Sequence, residues 1–349
     1  MGQEHGPRDG FLSRLSFLVV RSNPFADFWR SGRISRREAG APLSDARTSY
    51  PTLWSLLRGL RFETRGDYRP GSILDRTIRF FAAVLNRPST AAWVRFLHDI
   101  ERQYDLPPAS PRTVTKPLRN FAIHGLAISQ RFNLLRSHYN IATETLPNHI
   151  FASLWSGSVI PAGSLTGRSG NKYHLNLQYS RHCENEGEYS FSFVATDGYE
   201  LAKLTFSFAD DVNGGGRVVV IGGLQAASLF FGTDRKARVI AATRDLSGLR
   251  PKMVVFVAAS GVAQFVGASS FVAVSNATHT INGEAWYQRS KMYSDYDAFW
   301  RERGGQPIDL GFQVPLGLEP RADRAGRNRQ RERVATIVRE MLSSSHRQS

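Results

Sequence analysis

Cysteine is almost absent from this 349-residue chain: Cys183 is the only one. No intrachain disulfide can form, and a metal site built on paired thiolates is excluded. The usage suits a reducing compartment, so the expected location is cytoplasmic, peripheral at the inner membrane at most. Acidic residues are also in deficit, 30 against 45 Lys and Arg, which leaves a formal charge of +15. Such a field favours polyanions: an anionic membrane surface, an acidic envelope component or, less favoured, nucleic acid. The excess is carried mainly by Arg, which a genome rich in arginine codons would also produce.

Several signatures are missing. There is no Walker loop, no H-E-x-x-H pair and no G-x-S-x-G elbow, so the local marks of P-loop hydrolysis, zinc proteolysis and α/β-hydrolase chemistry are absent. The histidines are scattered, and no metal site is expected. The apolar stretch within Met1–Val20 is broken by Arg14 and has no small-residue cleavage site, so it does not read as a signal peptide. One stretch does lack charge for long enough to span a bilayer, between Lys252 and Glu284. Gly261, Gln264, Gly267 and Ser269–Ser270 dilute its apolarity. It reads as a buried helix, a tight turn and a buried strand, Phe271–Ser275.

What is present divides into four stretches. Residues 1–50 show no steady periodicity and read as a poorly structured basic segment. Residues 51–160 read as helical. Ser72 and Asp75 resemble a capping box before a stripe of Leu74, Ile78, Phe81 and Leu85. A second helix from near Ser89 aligns Trp93, Phe96, Leu97, Ile100 and Tyr104, stopped by Pro107 and Pro108. A third, Leu118 to Tyr139, aligns Phe121, Ile128, Phe132 and Leu135. Residues 161–320 change to a period of two: Tyr173, Leu175, Leu177 and Tyr179, then Tyr189, Phe191 and Phe193, then Leu204, Phe206 and Phe208. Asp197–Gly198 between the last two runs is a hairpin signal. Val218–Ile221 follows as a buried strand, and a further helix lies near Tyr293–Arg303. Residues 321–349 form a basic helix and tail with Val334, Ile337, Val338 and Met341 on one side. The fold class is α+β, a largely antiparallel sheet flanked by helices.

The second half carries NEGEYSFSF (185–193), LTFSF (204–208), VIGGLQ (220–225), LSGLRPK (246–252), AVSNATH (273–279) and YDAFWRERGG (296–305), with His138–Tyr139 as a weaker match. In this order the set resembles the VirK/YbjX family. Ala226 after the GGLQ element and Thr243–Arg244 before GLRP depart from the family's pattern. The resemblance implies a bacterial accessory protein tied to cell-envelope properties, virulence or antimicrobial-peptide resistance, with no assigned reaction.

Four meandering strands, a helical crossover, a fifth strand and another helix also resemble the Gcn5-related N-acetyltransferase (GNAT) fold. That resemblance implies an acyl-CoA cofactor resting between the fourth strand and the next helix, here Gly222 to Arg238. Gly222 and Gly223 would allow close backbone approach, and Gln225, Arg235, Lys236 and Arg250 would hold the anion. The glycine signature of those enzymes is absent. Acyl transfer to an amine needs a base and a proton donor. Glu186 or Glu188 is the expected base, with His279 as another candidate, and Tyr296 the donor, while Asn276 and Trp300 are candidate substrate contacts. Two other classes remain beside this one: a non-catalytic module docking on anionic membrane or an envelope partner, and a nucleic-acid binder.

Overall fold

The computed structural model describes residues 81–181, 183–211, 216–226, 234–283, 295–317 and 325–344. The expected capping box at Ser72, most of the first stripe and the segment 1–50 lie outside these residues. Of that stripe, Phe81 and Leu85 are 57% and 82% exposed while Ala83 is buried, so the helix turns its small residues inward.

Helices α1 (Arg87–Gln103), α2 (Pro111–Thr115), α3 (Ile128–Thr145) and α4 (Asn148–Trp155) precede the sheet. Helix α1 buries Trp93, Leu97 and Ile100 as its pattern predicts. Helix α3 starts at Ile128 rather than Leu118. The preceding segment contains left-handed Ala122 (φ 58°) and Gly125 (φ 89°), incompatible with a continuous helix. Its backbone is instead tied to two distant loops, Ala122 N–H to Asn185 O (2.8 Å) and His124 N–H to Thr278 O (2.7 Å). Those ties carry it across the region developed below.

Strands β1 (Val159–Thr166), β2 (Lys172–Tyr179), β3 (Tyr189–Ala195), β4 (Glu200–Asp210), β5 (Arg217–Ala226), β6 (Ala268–Ala273), β7 (Gln306–Ile308) and β8 (Gly311–Pro315) form one sheet in the order β1-β2-β3-β4-β5-β6-β8-β7. The alternating aromatics of β3 and β4 meet in register, Tyr189 opposite Phe206 and Phe191 opposite Leu204. Their turn contains Gly198 at φ 81°, where glycine carries no Cβ penalty. Only β5 and β6 pair in parallel among the described strands, joined through α5 (Arg235–Asp245) and α6 (Pro251–Phe265). The uncharged stretch is thus α6, a turn at Gly267 and β6. No helix among the described residues is long and apolar enough to cross a membrane.

Helix α7 (Tyr296–Arg301) leads into the β7–β8 hairpin, and α8 (Ala325–Ser343) packs on α6 and β1. Val334, Ile337, Val338, Met341 and Leu342 of α8 are buried in the common core. The apolar side of the basic helix is therefore occupied within the fold. It turns outward Arg329, Arg333 and Arg339 together with Glu332 and Glu340.

Candidate functional site

The site grows from an irregularity in β5. Thr205 of β4 pairs with Gly223 and Phe206 with Ile221, so Gly222 is the extra residue of a β-bulge. The parallel pairing with β6 stops at this point: Ile221 opposes Ala273, and Val274 N–H closes the ladder on Ile221 O at 3.0 Å. Strand β5 runs on to Ala226 without β6 beside it.

The β2–β3 loop folds over the bulge. A Cβ on Gly222 would fall 1.9 Å from the Glu186 carbonyl oxygen, and one on Gly223 would fall 1.8 Å from Glu186 Oε2. The close approach that the two glycines permit is therefore taken by Glu186 of the chain itself. This corrects the expectation that they form an open phosphate cradle. Gln225 belongs to the same cluster: its Nε2 donates to Glu186 Oε1 at 2.9 Å and lies 3.5 Å from Cys183 Sγ.

His279 and Tyr296 complete it. His279 Nδ1 accepts the Ile281 N–H (3.1 Å), which places the proton of the neutral ring on Nε2, 3.6 Å from Glu186 Oε1. The Tyr296 ring lies 5.0 Å from that of His279, and its hydroxyl accepts the Leu224 N–H (3.2 Å). Burial pushes the Glu186 carboxyl up to about 7, against the opposing pull of Gln225 and Lys203. Burial pushes His279 down to about 4. The 3.6 Å spacing alone would allow an ion pair, but both shifts favour neutral partners. Burial thus disfavours charge on both partners. His279 Nε2–H faces Glu186 without a hydrogen bond to it. Burial, then Glu186, raises the Cys183 thiol, which disfavours its thiolate.

Glu186 Oε2 has no hydrogen-bond partner, and neither do the buried hydroxyls of Thr205 and Ser190. Register places Gly223, Thr205 and Ser190 side by side across β5, β4 and β3. A row of polar groups thus extends from the carboxyl along the sheet.

The remaining sequence candidates go elsewhere. Asn276 Oδ1 accepts the Tyr296 N–H (2.8 Å) and its Nδ2 donates to Asp295 (3.0 Å). It fixes the start of α7 and is not a substrate contact. Trp300 is fully buried, donates to Val274 O (2.8 Å) and packs on Phe256 and Phe299, a core anchor rather than a pocket wall. Lys236 is exposed on α5, and the Arg235 side chain lies outside the described residues. Arg250 precedes Pro251 at the first position of α6 and borders a cleft of about 250 Å³ with Leu201, Ala226, Val239, Lys252 and Phe299.

A second buried polar cluster was marked in the sequence only by His138–Tyr139 and by Glu188 of the NEGEYSFSF element, and its ion pair rules Glu188 out as a free base. Lys116 Nζ lies 2.5 Å from Glu188 Oε1 and donates to the Tyr179 hydroxyl (2.9 Å), while Tyr139 donates to Glu188 Oε2 (2.8 Å). Lys116 and Glu188 are 2% and 0% exposed. Burial alone would lower the Lys116 pKa, but Glu188 and Tyr179 hold it above its ordinary value. Lys116, Cys183 and Lys203 were missed as neighbours because they converge from separate segments.

Comparison with known proteins places these elements in a family. A family profile described as "Protein of unknown function (DUF535)" matches residues 71–332. The "Uncharacterized protein YbjX" of Escherichia coli (strain K12) is 28% identical over 246 residues, covering 69% of this chain and 73% of that protein. No solved structure matches.

Proposed function

The chain belongs to the DUF535 family, the VirK/YbjX proteins, and from that premise we propose that it is a cell-envelope accessory protein acting by acyl transfer from an acyl-CoA to an amine. The observation that carries this reading is a buried carboxyl with a pKa near neutrality, set where the parallel strand pair ends. Groups tuned this way are more common at reactive sites than in structural cores. The strand order supports it too. A meander leads through a helical crossover into one parallel pair, in keeping with the four strands, crossover and fifth strand on which the acyltransferase reading rests.

An acyl-CoA supplies a thioester carbon open to attack by an amine. Glu186, held by Gln225 and faced by His279 Nε2–H, takes the proton that the amine loses as the new C–N bond forms. Tyr296, kept protonated because burial and Glu186 raise its pKa, hydrogen-bonds the thiolate as it departs, and the proton that Glu186 took from the amine passes to that thiolate or to solvent. No covalent enzyme intermediate is required. The row of Thr205 and Ser190 hydroxyls offers hydrogen bonds to a polar acceptor.

The test is thiol release from a panel of acyl-CoAs with amine acceptors, beside calorimetry with CoA. We expect activity that rises with pH through about 7 and is lost in Glu186→Gln with the fold intact by circular dichroism. Absence of both CoA binding and thiol release would end the transferase reading. An envelope phenotype unchanged in Glu186→Gln would favour a non-catalytic binding module. Binding of DNA at physiological salt would favour a nucleic-acid role.

A further inference from the structure

Glu186 and His279 face each other at 3.6 Å with no hydrogen bond between them, so their own contact does not set the gap. They also come from separate places, the β2–β3 loop and the loop after β6. The segment that reaches both is the irregular run 119–126 ahead of α3, which crosses between the two loops as a strap. Ala122 N–H donates to the carbonyl of Asn185, the residue before Glu186. On the other side, His124 N–H donates to Thr278 O and Asn120 Nδ2 to Thr280 O (2.7 Å), the two neighbours of His279. Close fit adds to these bonds. The Ala122 carbonyl oxygen lies 2.8 Å from the point where a Cβ on Gly222 would sit, and Asn120 Nδ2 fills the corresponding space at Gly283.

The strap is held in a costly shape. Ala122 sits in the left-handed region at φ 58°, which a residue with a Cβ keeps only where its surroundings over-determine it. Phe121, Ala122 and Ile123 are buried, which fixes the middle of the segment. Its two ends are joined by Arg131, in the first turn of α3. Arg131 Nε and Nη2 donate to Leu126 O (2.9 and 2.7 Å), and Nη1 donates to Arg119 O (2.5 Å). A planar, always-charged fork suits this task, since it spans two carbonyls at once with stronger bonds than a neutral donor makes.

We infer that Arg131 is a positioning residue: it closes the neck of the strap 119–126, which holds Glu186 and His279 at their working distance. The inference deepens the acyl-transfer reading and rests on it for the reaction served, while the geometry is testable alone.

The test is an NMR titration of Glu186 in the full chain, labelled at the glutamate carboxyl carbon and assigned by the signal lost in Glu186→Gln, beside the thiol-release assay. Lys203, Cys183, His279 and Tyr296 are the titratable groups that face Glu186, and Arg131 is not among them. Loss of a cation by itself would raise a carboxyl pKa. A loosened strap admits water and lowers it, from about 7 towards 4.5. We expect Arg131→Met to bring the midpoint to about 6 or below, with Arg131→Lys between it and the wild type. We also expect kcat to fall about tenfold or more with KM for the acyl-CoA unchanged, as a misplaced reacting group implies. Arg217→Met removes a similar bond to a main-chain carbonyl, Val266 O (3.0 Å), at the opposite end of β5, and should titrate like the wild type. An unshifted or raised Glu186 in Arg131→Met, or an equal shift in Arg217→Met, overturns the inference. A lowered Glu186 without thiol release from the wild type keeps the strap and sinks the transferase reading alone. If Arg131→Met does not fold, Asn120→Ala decides, because it frees Thr280 and leaves the neck closed. A lowered Glu186 there supports the inference, and an unchanged one overturns it.

Discussion

Glu186 and Glu188 are two residues apart and both buried, yet they live in opposite electrostatic regimes. Glu188 meets an ammonium at 2.5 Å and a tyrosine hydroxyl at 2.8 Å. Glu186 has one amide donor, a neutral imidazole at 3.6 Å and an oxygen without a partner. The first region is held by a buried ion pair. The second holds a carboxyl that gains and loses its proton near neutral pH. Burial is common to both, so the partner decides the charge state.

The comparison breaks most visibly on the ion pair. Lys116→Met strands the Glu188 charge in the core and should cost about 3–5 kcal/mol in denaturant unfolding. Lys116→Met with Glu188→Leu should recover much of that, because an apolar pair avoids desolvating two ions. A small loss in the single variant would mean that the pair is solvated and the contrast false.

Glu186→Gln should act in the other direction. The folded-state pKa of Glu186 is raised from 4.5 to about 7. The folded form therefore binds more protons between these values, and stability falls as pH rises through that window. His279 is lowered from 6.5 to about 4, so the unfolded form binds more protons there and stability rises with pH over about 4 to 6.5. The two slopes largely offset each other in the wild type. Glu186→Gln should unmask the histidine slope and be more stable than wild type at pH 8 by about 3 kcal/mol, an advantage that vanishes near pH 4. Parallel pH–stability curves for the two proteins would show that Glu186 is ordinary.

Gly223→Ala probes the seat of that carboxyl. Its Cβ would strike Glu186 Oε2, and we expect a loss of about 1–3 kcal/mol, smaller in the background of Glu186→Ala. Equal losses in both backgrounds would detach the glycine from the site. The smallest effect is expected far from either cluster. Gly198→Ala in the β3–β4 turn, at φ 81°, should cost about 1 kcal/mol by thermal unfolding.

Period-two aromatics and Asp197–Gly198 made β2, β3 and β4 legible, and the uncharged stretch after Lys252 outlined α6 and β6. Strand β1 was not, because Pro161 and Gly163 interrupt its pattern and its register shifts between them. Strands β7 and β8 are short and contain Pro307, Gly311 and Pro315, which read as coil. At the site, the motifs named Glu186, Gln225, His279 and Tyr296, and these residues do meet. Their roles were not legible. The His279 tautomer depends on the Ile281 amide, and the use of Gly222–Gly223 depends on a loop packed over them, both facts of three-dimensional contact. Arg131 escaped notice for the same reason, since 12 residues separate it from the Arg119 carbonyl it holds.

The seating of α8 has a bearing on how the chain can be dissected. A Cβ at Gly163 of β1 would lie 2.8 Å from Ile337, and one at Gly261 of α6 would lie 3.1 Å from Val338. The C-terminal helix is thus a clasp between the first strand and the crossover helix. Trimming the basic tail back through this clasp would lay bare an oily seam. Any loss of lipid or polyanion binding after such trimming would report a sprung fold, so charge-reversing changes at outward arginines such as Arg333 and Arg339 are the cleaner dissection.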